Sequence, residues 1–234
     1  MRRVVVVLGL LGVVCGSSAQ AGFAYTGHLS SRGTDPGLIT AGGTWPCGEV
    51  MLDWWVSQVS TDTWNYRYKL TVPGVDVLCA IIEASDGTDG PIFTEANLFN
   101  PTSVPEDWIA TIKVGQHSRA QNPNLQPAGL YGIKFCGLVD PRVLEISFDS
   151  DRQPVWGDFY AMSVPASLGF NTVYNKGFGW PVESDPDVDP HDGSELYHVL
   201  VPDSVGSVIP APGAVLLGGL GAGLVGLLRR RRRL

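Results

Sequence analysis

Residues 64–72 constrain the fold more than any other stretch of this chain. They read Trp-Asn-Tyr-Arg-Tyr-Lys-Leu-Thr-Val, aromatic and aliphatic residues alternating strictly with Asn65, Arg67, Lys69 and Thr71. Successive side chains of a strand point to opposite faces, so this period of two sorts one apolar and one polar face. It predicts a half-buried strand of an antiparallel sheet. Residues 49–59 precede it, and Ser60-Thr61-Asp62-Thr63 supplies a hairpin connection. Residues 75–84 form a more continuous apolar run, as a central strand requires. Further strand signals cover 108–114, 130–135, 143–148 and 155–162, with Gly/Pro/Asn-rich turns at 86–91 and 121–127. No stretch keeps a helical period, and 94–97 has room for one helical turn. The expectation is all-β: a single antiparallel β-sandwich of seven to nine strands, jelly-roll-like, over residues 22–205.

Charge divides the chain differently. Of 16 basic residues, seven stand at the ends (Arg2, Arg3 and Arg229 to Arg233). The nine between them face all 23 acidic residues, a net of −14. Such a domain is no nucleic-acid partner.

The ends read as addresses. Met1-Arg2-Arg3, an apolar run over 4–14 and the small-residue site Ala19-Gln20-Ala21 make a signal peptide of residues 1–21, cleaved after Ala21. Eleven apolar residues are too few to span a bilayer. At the other end Pro210-Ala211-Pro212 leads into sixteen apolar, Gly-rich residues (213–228) and the arginine cluster. The arginines orient that end to the cytoplasm, which puts the middle of the chain across the membrane. Gly221-Ala222-Gly223-Leu224-Val225-Gly226 satisfies a dinucleotide fingerprint, but it lacks the strand before it and the acidic residue some 20 positions later.

Pro-x-Pro, a Gly-rich apolar helix and terminal arginines together resemble the PEP-CTERM sorting signal of Gram-negative bacteria that make extracellular polysaccharide. The resemblance covers residues 206–234, with Ala211 where the family has Glu. It implies recognition by an exosortase, a membrane protease-transferase that processes the tail near this motif, and release to the cell surface or medium. Residues 145–160 also resemble a stretch of domains that carry this signal.

Candidate chemistry in the middle is sparse. Cys47, Cys79 and Cys136 are odd in number, so at most one intramolecular bridge forms. Cys79, within an apolar strand, reads as a small buried hydrophobe. The histidines lack zinc-site spacing, and no G-x-S-x-G elbow occurs. Asp185, Asp187, Asp189 and Asp192 set carboxylates at intervals that can wrap Ca²⁺, the one cofactor the sequence suggests. Pro190 and Leu196 exclude an EF-hand, and a solvated acidic loop is the other reading. Trp54 and Trp55 are adjacent, so a strand sends them to opposite faces. An outward tryptophan offers a sugar a ring to stack on.

The expected protein is therefore exported and non-enzymatic, held at the envelope or in its polysaccharide matrix. A carbohydrate-binding module is the first alternative and a secreted glycan-active enzyme the second.

Overall fold

The computed structural model describes residues 24–88, 90–125, 129–138, 141–163, 169–179 and 189–203. The expected signal peptide with Ala19 and Ala21, the expected sorting tail with Pro210, Ala211 and Pro212, and Asp185 and Asp187 lie outside the described residues. Among those residues no helix is long and apolar enough to cross a membrane.

Thirteen strands follow in chain order: β1 (Ala24–Ser30), β2 (Leu38–Ala41), β3 (Met51–Ser60), β4 (Thr63–Thr71), β5 (Val77–Glu83), β6 (Leu98–Val104), β7 (Ile109–His117), β8 (Leu130–Gly137), β9 (Val143–Ser150), β10 (Gln153–Gly157), β11 (Phe159–Ser163), β12 (Thr172–Asn175) and β13 (Val199–Asp203). All pairings are antiparallel. One sheet has the order β1-β3-β4-β9-β6, a second β2-β12-β11-β5-β8-β7, and β10 pairs β13. The all-β expectation holds, but the described residues form thirteen strands where seven to nine were expected. The helical turn anticipated at 94–97 is a 3-10 turn, Glu95–Asn97.

The alternating strand behaves as its pattern requires. Trp64, Tyr66, Tyr68 and Leu70 of β4 are buried, and Asn65, Arg67 and Lys69 face outward. The inner residues of β4 and its neighbours share one core with Ile82, Ile133, Phe135, Phe159 and Val173 of the other sheet. Phe148 joins the two, its ring centroid 5.5 Å from that of Tyr66 and 5.7 Å from that of Phe135. Tyr68 ends its reach on the Leu200 carbonyl of β13 at 2.7 Å, which satisfies a hydroxyl that burial keeps protonated far above its usual range.

A smaller core covers the far side of the second sheet. Cys79, Ile81, Leu130, Tyr160 and Met162 pack there with Leu125 and Phe178. Here one expectation is corrected: Cys79 is buried, but it is bonded to Cys136. The two residues stand directly opposite each other on β5 and β8. Cys47 is exposed and free.

A second correction concerns 155–162, which is not one strand. Asp158 breaks the run between β10 and β11. Its buried carboxylate accepts Asn175 Nδ2 and the Gly179 N–H, both at 2.8 Å. Its own N–H donates to Glu83 Oε2 at 2.6 Å. His198 Nδ1 lies 3.1 Å from Asp158 Oδ1, poorly aligned for a hydrogen bond. An apolar period cannot reveal such a corner, because the residues on both sides of it are buried. Pro202 of β13 pairs with Pro154 of β10.

Candidate functional site

The two neighbouring tryptophans part company as adjacent strand positions must. Trp54 is fully buried, and the sugar-site reading of that residue is corrected. Its ring occupies the space beside Gly27 of β1, where a Cβ would fall 1.9 Å from the indole. Any larger residue at 27 would evict it. Trp55 points the other way, to the outer face of the five-stranded sheet, and is only partly buried.

Register assembles the surroundings of Trp55. Thr26 of β1, Trp55 of β3, Arg67 of β4, Ser147 of β9 and Thr102 of β6 form one row across the sheet. The next row holds His28, Asp53, Lys69 and Glu145. The Arg67 guanidinium carbon lies 5.0 Å from the Trp55 ring centroid, a cation–π stack. Its Nε and Nη2 reach the two oxygens of Glu145 at 2.7 and 2.9 Å. That fork raises the Arg67 pKa and fixes the plane of the guanidinium. Asn65 Nδ2 donates to Asp149 Oδ1 at 2.8 Å, and His28 Nδ1 meets Asp53 Oδ1 at 2.7 Å. The face thus joins one partly exposed indole, with Arg67 stacked on it, to hydrogen-bonded polar side chains on neighbouring register positions. Sequence reasoning put Arg67 outward and required one of Trp54 and Trp55 to join it; that it is Trp55, and that the two stack, needed the strand register.

The edge of this sheet carries a feature without a sequence signal. Residues 189–198 run beside β1. Asp192 Oδ1 accepts the Thr26 N–H at 2.8 Å, and the Gly193 N–H donates to the Thr26 carbonyl at 2.7 Å. This loop covers an otherwise open strand edge. Asp192, expected among calcium ligands, thus has one oxygen committed to backbone. Asp189 is exposed. Both act on Tyr25, whose pKa is raised first by burial and then by these two carboxylates. Among the described residues no three Asp, Glu, His or Cys side chains gather as a metal site.

Beyond Asp192 the loop closes one side of a groove of about 510 Å³ with His28, Ser30, Arg32 and Asp35 opposite Leu196 and Tyr197. Leu196 and Tyr197 have φ of 45° and 66°, consecutive left-handed residues that carry side chains. Tyr197 is clamped there: its hydroxyl donates to Asp35, and Lys176 Nζ lies 4.3 Å from its ring centroid. Lys176 also reaches Asp35 at 2.8 Å. The hydrogen bonds from Lys176 and Tyr197 hold the Asp35 carboxyl below its ordinary pKa.

No protein-family model, curated protein or solved structure matches this chain.

Proposed function

We propose that this is an exported protein of the cell surface or its polysaccharide matrix, and that its folded region, a jelly-roll-like β-sandwich, is a glycan-binding module. The route rests on the two ends of the sequence: a signal peptide cleaved after Ala21, and a PEP-CTERM-like tail for an exosortase-type membrane protease. Intact-mass measurement of native material tests the route. The expected mature protein starts at Gly22 and lacks Arg229 to Arg233. A species that keeps these arginines makes the tail a permanent anchor.

Trp55 carries the binding reading. A partly exposed indole on an outward sheet face, with the Arg67 guanidinium stacked on it and Asn65, His28 and Asp53 on neighbouring positions, supports the two things a sugar needs. The ring stacks on the apolar side of a pyranose, and the polar groups orient its hydroxyls. With −14 between the end clusters, the module would repel an anionic polysaccharide. A neutral glycan suits it better. A glycan-active enzyme would need two carboxylates facing across a cleft. The carboxylates of Glu83 and Asp158 each accept a backbone N–H, which commits part of their hydrogen-bonding capacity to the fold.

Trp55→Ala should abolish retardation of the protein in affinity gels cast with neutral polysaccharide. It should cost less than about 1 kcal/mol of stability, as surface substitutions do. Unchanged retardation of this variant would remove Trp55 from the site.

A further inference from the structure

We infer that the ligand is a chain of several neutral sugars, bound along a strip that begins at Trp55 and ends in the groove beside Tyr197; this rests on the glycan-binding reading above. The strip is continuous in the fold. Trp55 stands opposite Thr26, and His28, two residues along β1, both pairs with Asp53 and lines the groove. From Thr26 to Ser30 the outward positions of β1 extend about 14 Å at strand rise. That is well beyond one sugar ring. The groove adds about 510 Å³ at the far end, within the size range of small-molecule sites.

The chemistry of the groove selects the ligand class. Arg32 gives its Nε and Nη2 to the carbonyls of Gly48 and Cys47 at 3.3 and 2.9 Å. Asp35 is neutralised by Lys176 and bound by Tyr197. Asp53 is taken by His28 through Nδ1, which leaves the His28 Nε2 for a ligand. The Asp35 and Asp53 carboxylates and the Arg32 guanidinium are each tied up in hydrogen bonds within the protein, so few of their donors and acceptors are left for an ionic ligand. What remains is a set of hydrogen-bonding groups beside apolar surface, the combination a chain of hydroxyls and ring C–H groups matches.

The apolar surface is deliberate in its placement. Leu196 is 53% exposed at the lip of the groove. It is held there by left-handed backbone, a conformation that is unfavourable for a residue with a Cβ. The neighbouring Tyr197 ring is fixed by Asp35 and Lys176, so the wall is formed before any ligand arrives and little ordering entropy remains to be lost.

Calorimetric titration of the full-length protein in detergent, with gluco-, manno- and xylo-oligosaccharides from disaccharide to heptasaccharide, tests this. Affinity for at least one series should rise about tenfold from disaccharide to pentasaccharide, a difference of about 1.4 kcal/mol, and then level off. Leu196→Ser and Arg32→Gln should each remove that rise and leave disaccharide binding unchanged. Leu196 is exposed enough for its variant to fold, and Tyr197→Phe, which keeps the ring, is a second check. Trp55→Ala should weaken every length. Affinity independent of chain length, or a Leu196→Ser protein equal to the parent at pentasaccharide, overturns the extended site while Trp55-dependent binding stands. A folded parent that binds no length of any series overturns both.

Discussion

Trp54→Ala should destabilise the domain by roughly 3–5 kcal/mol, the cost of truncating a buried aromatic. In thermal unfolding this is a fall of roughly 10 °C for a domain of this size. The same change at Trp55 should move the transition by no more than a few degrees. The contrast follows from burial: Trp54 is sealed between the sheets against Gly27, with its indole N–H unpaired, so no lost hydrogen bond confuses the reading. What is removed is apolar surface, and the cavity left behind cannot fill cheaply because β1 and the loop at Gly193 are hydrogen-bonded in place. Equal melting temperatures for the two variants would mean that the assignment of faces along β3 is wrong.

Reduction of Cys79–Cys136 should have an effect of similar size. The bridge spans a sequence separation of 57 residues, and closing such a loop in the unfolded chain corresponds to about 4 kcal/mol in the chain-entropy description. Cys136→Ser should therefore lower the urea midpoint substantially. Reductant should lower the parent to the same midpoint and leave the variant where it is. Cys47→Ser is the control, expected to change nothing, since Cys47 is exposed and unbonded. A parent midpoint insensitive to reductant that also exchanges the buried thiols would show that β5 and β8 are held by their ladder and the second core alone.

Much of this architecture is legible in the residues themselves. The period of two over 64–72 fixed which side chains of β4 enter the core, because a strand has no other way to place alternate residues. The strand signals at 49–59, 75–84, 108–114, 130–135 and 143–148 are likewise local, and strands stand there at 51–60, 77–83, 109–117, 130–137 and 143–150. The adjacency of Trp54 and Trp55 required one of them to leave the core, but it could not say which. That depended on β1, a strand with Gly27 and His28 in it and no apolar alternation to announce it. Gly27 makes room for the Trp54 ring, and the choice of face is a contact between strands distant in sequence.

β2, β6, β12 and β13 escape local reading for a related reason. They are short or interrupted by polar residues and proline, and they are strands because a neighbour supplies hydrogen-bond partners. Asp158 shows the limit most plainly: a carboxylate within an apolar run looks like a defect until Asn175, Gly179 and His198 converge on it. The same holds for the groove. Leu196 and Tyr197 carry no glycine or asparagine signal for left-handed backbone, and only Asp35 and Lys176, some 160 and 20 residues away, make that conformation worth its cost. Sequence alone determines what depends on neighbours along the chain: the strand period and the sign of the charge. Tertiary structure decides the sheet order, the bridge between Cys79 and Cys136, and the surface around Trp55, because each of these is a meeting of residues whose pairing energy no local pattern records.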